Sequence, residues 1–381
     1  MTAAILLGLG TAIALYVMVG YPLLLAFIPG RSAPEIAKDL GFRATVSVLL
    51  AVHNGVAFIR QKLECLLALD YPRDLIQILV VSDGSDDGTD EIVQEYAGRG
   101  VKLIRVPRAG KAAALNAALA QSTGEILFFT DVRQALAPDA LAQLVANFAD
   151  PTIGAVTGEL RILNPDRAGE QADMELYWRY ELWARRRHSR IDSIFSVTGC
   201  IYAMRRSLAE PLRPDTLTDD ASFSLQAFFQ GYRVVFDSSA IAQDYPTATG
   251  GEFRRKLRTL AGLWQVYLRQ PKIFSRANRM RFHFLSHKFM RLVLPWAVLL
   301  IWASTLALPN SVFRQFLLVD EALLVILAAA DFVVPRGFPL KRISSPARTF
   351  VAMNAAAFLA LVFLWAPPQT VWKPTRVHVR E

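Results

Sequence analysis

Cysteine is scarce in this sequence of 381 residues, which contains only Cys65 and Cys200. Two cysteines cannot build a disulfide framework or a zinc site made of cysteines. The low hydrophobicity that keeps chains disordered is also missing, because 53% of the residues are apolar and 10% are aromatic. The sequence therefore predicts a folded protein, whose length allows about two or three domains.

Charged side chains are absent from residues 1–30, and the first charge in the chain is Arg31. An apolar stretch of this length is sufficient to cross a hydrocarbon core about 30 Å thick. A cleaved signal peptide would have a basic beginning and a shorter apolar run, and this segment has neither. We therefore predict a retained transmembrane anchor over residues 1–30.

Charge is scarce again near the C-terminus, where three apolar runs fall within residues 292–372. Leu292–Phe313 and Thr349–Trp372 contain no charged residue. The middle run, Gln315–Pro335, contains three acids that we expect near the ends of a membrane span, namely Asp320, Glu321 and Asp331. These runs predict about three C-terminal transmembrane segments, followed by a basic tail over residues 373–381.

The distribution of lysine and arginine orients these segments, since the cytoplasmic flanks of membrane spans are enriched in both residues. Basic residues follow the first span, precede the second, and lie between the third and the fourth. All three groups fall on the cytoplasmic side if the N-terminus is outside. A fourth complete crossing would then place the basic tail outside, which leaves the side of the C-terminus open.

Between the anchors, residues 44–250 alternate short apolar runs with segments of helical pattern. The apolar runs are Thr45–Leu50, Ile76–Val81, Val101–Val106 and Glu125–Thr130. The helical segments are Phe58–Leu69, Thr89–Tyr96 and Ala112–Gln121. This alternation predicts an α/β domain with a largely parallel sheet. Because ligands bind beyond the carboxyl ends of such strands, the polar residues there are the candidates for function.

Three polar features follow these apolar runs. Asp83 lies in a loop rich in glycine and aspartate, Asp131 follows the fourth run, and Lys111 precedes an alanine-rich helix. Taken singly, each has an ordinary structural explanation: a turn before a helix, an acid at a strand end, or a solvated lysine. Lys111 is equally compatible with binding a phosphate.

The order of these motifs resembles that of the inverting family 2 glycosyltransferases, which have the GT-A nucleotide-sugar-binding fold with a mixed, mostly parallel sheet. The resemblance covers roughly Ala44–Gln270. It implies that Asp83 contacts the nucleobase of a nucleotide sugar and that Lys111 lies near the diphosphate. Asp131 occupies the first acidic position of the family's D-x-D motif, while Arg133 occupies the second.

In the family, the D-x-D acids bind a divalent cation that bridges the diphosphate. Asp131 would keep half of that role, and one carboxylate is tolerable because magnesium is usually held by one or two carboxylates together with phosphates. The resemblance therefore implies Mg²⁺ or Mn²⁺ at Asp131. Arg133 either supplies positive charge to the diphosphate or points away from it.

The segment Leu217–Asp220 matches the family motif whose final acid is the general base, so the resemblance assigns that role to Asp220. An inverting transfer is a single displacement at the anomeric carbon. A positioned carboxylate is the natural group to take the proton of the acceptor hydroxyl as the new bond forms. Asp219 is either a substrate contact or an acid favoured at a helix N-terminus.

Residues 251–291 combine apolar, aromatic and basic side chains at helical spacing, which predicts amphipathic helices at the membrane interface. In the family, this region carries a Q-x-x-R-W motif near the acceptor. Arg258 keeps its arginine, Arg255 occupies the position of its glutamine, and Thr259 replaces the tryptophan that packs against the acceptor sugar in processive members. Trp264, about one turn later, is a candidate substitute.

These features predict an integral membrane glycosyltransferase with a cytosolic catalytic domain, and the resemblance implies a bacterial inner membrane. The leading hypothesis is extension of a β-linked exopolysaccharide from a nucleotide sugar, with UDP the commonest nucleotide in the family. The alternatives are transfer of one sugar to a lipid-linked acceptor and a catalytically inactive subunit of a secretion complex. The net charge of +9 fits membrane lipids as partners, and we expect no nucleic acid.

Overall fold

The computed structural model describes residues 1–28, 33–163, 171–245, 249–335 and 337–362. The chain divides into two compact units. The sheet unit consists of Gly30–Leu163 and Arg185–Pro246, and the helical unit consists of Met1–Pro29, Asn164–Ala184 and Thr247–Glu381. The polar motifs at the predicted strand ends belong to the sheet unit, and the long apolar runs belong to the helical unit.

The strands are β1 (Val46–Val52), β2 (Ile76–Asp83), β3 (Val101–Val106), β4 (Ile126–Phe129), β5 (Ala135–Leu136), β6 (Ile153–Ile162), β7 (Tyr202–Arg205) and β8 (Arg233–Asp244). Within the described residues they form one eight-stranded sheet in the order β3-β2-β1-β4-β7-β6-β8-β5. β1 is parallel to β2 and β4, β2 to β3, and β6 to β8. β7 is antiparallel to β4 and β6, and β5 to β8. The predicted mixed, mostly parallel sheet is confirmed.

The α-helices are α1 (Thr2–Leu15), α2 (Tyr21–Phe27), α3 (Val56–Leu67), α4 (Thr89–Glu95), α5 (Lys111–Gln121), α6 (Ala140–Val145), α7 (Gln171–Ile191), α8 (Asp219–Phe229), α9 (Thr249–Arg269), α10 (Arg281–His283), α11 (Met290–Ala307), α12 (Val312–Ala330) and α13 (Lys341–Val362). Two π-helical turns, Tyr16–Gly20 and Phe284–Phe289, join α1 to α2 and α10 to α11. The helices predicted between the first four strands are present, with ends within two residues of the predicted ones.

β1 and β4 are neighbours in the sheet and are buried on both of their faces. All residues of β4 are buried, and so are all those of β1 except Ala51. Continuous burial of this kind is typical of parallel strands that helices cover on both faces. The largest side chains in this core include Leu49, Leu50, Phe128 and Phe129, which are almost fully buried.

The polar motifs predicted at the strand ends lie at one edge of this sheet. Asp83 is the last residue of β2, and Asp131 follows β4 by two residues. α5 begins at Lys111, shortly after β3. Because β1 to β4 are parallel, their carboxyl ends share one edge, which is where ligands bind in α/β proteins.

Among its described residues, the helical unit has three helices that are long and apolar enough to cross a membrane. They are Thr2–Phe27, Arg281–Ala307 and Lys341–Val362. The first matches the predicted anchor, and the other two overlap the first and last of the predicted C-terminal runs. Residues 363–372 of the last run and the basic tail lie outside the described residues.

α12 differs from its prediction. The hydroxyl of Ser311 caps the helix by accepting a hydrogen bond from the backbone N–H of Arg314 at 3.2 Å, so the helix begins at Val312 rather than at Gln315. Asp320 and Glu321 consequently lie in the middle of the helix, and the prediction that they lie near its ends is wrong. α12 is not among the three candidate spans found in the described residues.

α9 is the amphipathic helix predicted at the start of residues 251–291. Leu257, Ala261 and Tyr267 are buried, whereas Phe253 and Leu268 at the ends of the same apolar face are exposed, as is Arg255. The predicted helix is present, and the middle of its apolar face is buried. The location of this helix at a membrane interface stays a prediction.

Candidate active site of the sheet unit

Four charged side chains meet at the carboxyl edge of the sheet: Lys111, Asp131, Asp219 and Asp220. Nζ of Lys111 lies 2.8 Å from Oδ1 of Asp131 and 3.2 Å from Oδ2 of Asp219. Burial opposes the charge of Lys111, but the three carboxyl groups outweigh burial and raise the pKa of the lysine. Among the described residues of this cluster, one ammonium group faces three carboxyl groups, so negative charge is in excess there.

The local sequence places each member of the cluster. Gly110 has a φ of +97°, which L side chains rarely adopt, and it turns the chain so that Lys111 is the first residue of α5. Asp219 and Asp220 occupy the first turn of α8, where the helix dipole favours acids. Asp219 therefore lies at a helix N-terminus, as one of its two interpretations predicts.

Asp220 has the electrostatic setting of a general base. Burial, followed by repulsion from Asp219, raises the pKa of Asp220 to about 6, although Lys111 favours the charged form. Oδ1 accepts a hydrogen bond from the backbone N–H of Ala221 at 2.8 Å. Oδ2 faces Gly199, where an added Cβ would lie 3.4 Å away. A carboxyl group whose pKa is near the working pH is suited to take a proton from a substrate.

Asp83 lies outside this cluster and binds the neighbouring loop. Its carboxylate accepts hydrogen bonds from the backbone N–H groups of Ala109 at 2.7 Å and Gly110 at 3.0 Å, and from the guanidinium of Arg108. Gly84 is required beside it, because its φ is +64° and a Cβ there would lie 2.9 Å from the backbone nitrogen of Arg108. Asp83 therefore shapes the loop that leads directly into α5.

Other acids of the Gly/Asp-rich loop serve the local structure. Asp87 accepts hydrogen bonds from the backbone N–H groups of Thr89 at 3.0 Å and Val56 at 2.9 Å. The amide of Asn54 donates to Asp86 at 2.8 Å. These contacts fasten the loop to the segments where α3 and α4 begin.

Arg133, in the second D-x-D position, forms an ion pair with Asp244 at the end of β8. Nη2 of Arg133 lies 2.5 Å from Oδ2 of Asp244, and the same oxygen accepts a hydrogen bond from the amide of Gln134 at 2.8 Å. Arg133 therefore helps to fix the turn after β4. Of its two predicted roles, this contact favours the one in which Arg133 points away from the diphosphate.

Sequence reasoning missed Lys62, whose side chain is buried in α3. Its Nζ donates hydrogen bonds to Oγ1 of Thr130 and to the carbonyl oxygen of Gln134, both at 2.7 Å. The signal that could have revealed it is spacing, because a lysine at i, i+3, i+4 and i+7 among apolar residues lies on a buried helix face. The other members of that face are Ile59, Leu63 and Leu66.

In the part of the chain that the structure describes, no group of three or more histidine, cysteine, aspartate or glutamate side chains is arranged to hold a metal ion. Asp131 nevertheless suits a cation shared with a phosphorylated ligand, because its side chain is 38% exposed. Magnesium at phosphate sites is commonly held by one or two carboxylates together with phosphate oxygens. The residues present therefore fit Mg²⁺ or Mn²⁺ when phosphates complete the coordination.

Arg255, Arg258 and Trp264 belong to α9 of the helical unit. The hydroxyl of Thr259 donates to the carbonyl oxygen of Arg255 at 3.0 Å. The indole of Trp264 packs edge-on against Phe289, with ring centroids 6.1 Å apart. The predicted role of the two arginines and of Trp264 near an acceptor stays a prediction.

Two protein-family models match the chain. The model of glycosyl transferase family 2 matches residues 47–213, and the model of glycosyl transferase family group 2 matches residues 133–364. The second match alone covers more than half of the chain. Together the matches include every member of the charged cluster in the sheet unit.

The names of three relatives describe a glycosyltransferase, a polysaccharide synthase and a glycolipid synthase. The chain is 28% identical to the probable glycosyltransferase YdaM of Bacillus subtilis, over 65% of this chain and 59% of the relative. It is 26% identical to the poly-beta-1,6-N-acetyl-D-glucosamine synthase of Staphylococcus epidermidis, over 59% and 56%. It is 26% identical to the beta-monoglucosyldiacylglycerol synthase of Nostoc sp., over 63% and 53%. The chain thus spans less than two thirds of the length of these relatives.

A solved structure resembles the chain over nearly its whole length. The mannosyltransferase PcManGT from Pyrobaculum calidifontis, in complex with GDP-Man and Mn²⁺, matches with a TM-score of 0.74 and 25% identity. The match covers 94% of this chain and 99% of that protein.

Proposed function

The chain belongs to the family 2 glycosyltransferases, and we propose that it transfers a sugar, with inversion, from a nucleotide-sugar donor to a growing β-linked exopolysaccharide at the membrane. The observation that carries the proposal is the setting of Asp220, which shares the carboxyl edge of the sheet with Lys111 and Asp131. We propose a UDP-sugar as the donor.

Asp220 acts as the general base. It takes the proton of the acceptor hydroxyl while that oxygen bonds to the anomeric carbon and the bond from that carbon to the diphosphate breaks. With a pKa of about 6, the carboxylate is largely ionised near neutral pH and is a stronger base than an ordinary aspartate. A positioned base of this kind typically accelerates a reaction about 10²- to 10⁴-fold.

Lys111 and Asp131 receive the diphosphate of the donor in this proposal. The raised pKa of Lys111 keeps its ammonium protonated, so it can stabilise the charge that develops on the leaving group. Mg²⁺ or Mn²⁺ held by Asp131 and the phosphates would supply further positive charge. Asp219 orients Lys111 from the other side, and Asp83 is the proposed contact for the nucleobase.

We assign Arg255, Arg258 and Trp264 of α9 to the acceptor and diphosphate region. The three candidate spans would hold the protein in a bacterial inner membrane with the sheet unit in the cytosol, where it meets the nucleotide sugar. The proposed partners are a glycan or lipid-linked acceptor, membrane lipids and subunits of a secretion system.

Transfer of one sugar to a lipid acceptor is the second candidate, and Thr259 favours it. Threonine cannot offer the aromatic face on which a sugar packs in processive members of the family. Similarity to the beta-monoglucosyldiacylglycerol synthase supports this candidate, whereas similarity to the poly-beta-1,6-N-acetyl-D-glucosamine synthase supports the first. The ordered cluster around Lys111 disfavours an inactive subunit.

The test is release of free nucleotide from a panel of UDP- and GDP-sugars by the whole protein in nanodiscs, with and without Mg²⁺ or Mn²⁺. Asp220→Asn is the inactive variant. Asp74→Asn is its matched control, because Asp74 is exposed and precedes β2 at the opposite edge of the sheet.

Release from one donor by the wild type and by Asp74→Asn, but not by Asp220→Asn, is the expected result. Sizing the product then separates the two candidates, since a ladder indicates a polymer and a single species indicates a glycolipid. Absence of turnover and of nucleotide binding with every donor, even after native membrane lipids are added, would contradict the proposal.

A further inference from the structure

Lys62 places a cation inside the hydrophobic core of the sheet unit. Only 2% of the residue is exposed, and its neighbours on the buried face of α3 are apolar. Burial lowers the pKa of Lys62 to about 8. A charged group in such a place is costly unless its hydrogen bonds are made, so the contacts of this ammonium group indicate what it does.

The ammonium group bridges both ends of the turn that presents Asp131. This turn, residues 130–134, is named the Asp131 loop. Nζ of Lys62 donates to Oγ1 of Thr130 and to the carbonyl oxygen of Gln134, each at 2.7 Å. The two acceptors flank Asp131 in sequence, so one side chain sets the separation of the loop ends.

The same contacts reach the backbone segment that lies against Asp220. Oγ1 of Thr130 donates to the carbonyl oxygen of Cys200 at 2.9 Å. Gly199, the preceding residue, lies against Asp220, since a Cβ at that glycine would be 3.4 Å from Oδ2 of the acid. Lys62 is therefore connected through Thr130 to the backbone beside the proposed base.

The far side of the Asp131 loop is fixed independently by Asp244. Its carboxylate binds the guanidinium of Arg133 and the amide of Gln134. The loop is thus held between Lys62 on one side and Asp244 on the other. Asp131 itself contributes to neither contact, which leaves its carboxylate facing Lys111.

We propose that Lys62 is a positioning residue, which holds the Asp131 loop and the segment at Gly199–Cys200 so that Asp131 and Asp220 address the same donor. This inference deepens the proposed function and rests on it. A methionine would fill the same core position without the cost of desolvating a charge, but it would make neither hydrogen bond to the loop. The ammonium group therefore serves the geometry of the loop.

The test compares Lys62→Met with Tyr71→Phe. Each variant removes two buried hydrogen bonds, because the hydroxyl of Tyr71 donates to the carbonyl oxygen of Ala44 at 2.7 Å and accepts from its N–H at 2.9 Å. Tyr71 lies at the amino end of β1 and contacts none of the proposed site. Binding of UDP and of GDP, each with Mn²⁺, is measured by calorimetry on the nanodisc protein, together with kcat, donor KM and Tm.

In Lys62→Met, we expect nucleotide affinity with Mn²⁺ to fall about ten-fold, which is about 1.4 kcal/mol, and kcat to fall as well. In Tyr71→Phe, we expect a lower Tm with unchanged nucleotide affinity. If Lys62→Met binds nucleotide and turns over as Tyr71→Phe does, Lys62 is only a core residue and the inference is wrong.

Thr130→Val decides the matter if Lys62→Met does not yield folded protein. This variant keeps the ammonium and its contact with Gln134 but breaks the connection to Cys200. We expect kcat to fall more than nucleotide affinity, and an unchanged kcat would overturn the inference. A wild type that neither binds nucleotide nor turns over would instead refute the proposed function itself, so the two failures are distinguishable.

Discussion

A cluster of charged side chains in the sheet unit differs in its balance of charge from one in the helical unit. In the sheet unit, the single ammonium of Lys111 faces three carboxyl groups, and burial together with one neighbouring acid raises the pKa of Asp220. In the helical unit, the carboxylate of Glu181 is contacted by Lys288 at 2.6 Å and by Arg291 at 3.2 Å. Among the described residues, negative charge is thus in excess in the cluster around Lys111 and is compensated around Glu181.

Asp331, also in the helical unit, shows the same compensation. Its carboxylate pairs with Lys341 at 3.0 Å and with Arg348 at 2.9 Å, and it accepts hydrogen bonds from the hydroxyls of Ser344 and Ser345. Burial opposes the charge of Asp331, but these hydrogen bonds and the attraction of Arg348 outweigh burial and lower the pKa of the carboxyl group, which stabilises the fold. In the cluster of the sheet unit, burial and Asp219 instead raise the pKa of Asp220.

Asp220→Asn removes the proposed base from the cluster around Lys111 and should have the largest effect. We expect kcat to fall about 10²- to 10⁴-fold, the usual contribution of a general base. Tm should be unchanged or higher, because burial and Asp219 both disfavour the charged form of Asp220. The measurement is nucleotide release and thermal melting beside Asp74→Asn, and activity equal to that control would exclude Asp220 as the base.

Asp331→Asn tests the carboxylate that is paired with Lys341 and Arg348, and it should lower stability and not activity. The neutral amide leaves Lys341 and Arg348 without their counter-charge, and breaking a buried ion pair typically costs about 3–5 kcal/mol. We expect a lower Tm in nanodiscs but a normal kcat per folded molecule. Loss of kcat at an unchanged Tm would contradict the account, because Asp331 would then serve activity and not stability.

Lys111→Gln removes the ammonium group and so increases the excess of negative charge in its cluster. We expect kcat to fall about 10²- to 10³-fold, as when one donor to a developing negative charge is removed. Lys111 favours the ionised form of Asp220, so its loss raises the pKa of that acid and moves the acid limb of the pH–rate profile to higher pH. If the acid limb of the variant lies at the same pH as that of the wild type, Lys111 does not influence the ionisation of Asp220 in the active enzyme.

Asp219→Asn removes one negative charge from the cluster around Lys111 and should have the smallest effect on activity. Repulsion from Asp219 raises the pKa of Asp220, so the variant should lower that pKa and move the acid limb to lower pH. The direction is opposite to that of Lys111→Gln, and we expect kcat near neutral pH to change only a few-fold. Limbs that move in the same direction in both variants would contradict the electrostatic account.

Local patterns predicted the parts of the fold and site that depend on near neighbours. Runs of β-branched residues located β1 to β4, and the positions of Asp83, Lys111 and Asp131 at strand ends followed from chain order in a parallel sheet. The place of Asp219 in the first turn of α8 was likewise readable, because a helix N-terminus favours acids.

The contacts that hold the site together depend on distant partners, and no local pattern encodes them. Lys62 meets Thr130 across 68 positions of sequence, and Arg133 meets Asp244 across 111. The middle position of Glu321 in α12 was also missed. Ser311 is a local helix-start signal that could have placed the beginning of α12 at Val312, whereas the bond from the hydroxyl of Thr305 to Glu321 at 2.7 Å joins two different helices.

The pH dependence of kcat/KM for the donor tests the central claim most directly, because it reports the pKa of the base in the free enzyme. The account predicts that wild-type activity falls on the acid side with an apparent pKa of about 6. An acid limb near 3.8, the ordinary value for an aspartate, would show that the excess of negative charge around Asp220 does not tune the base.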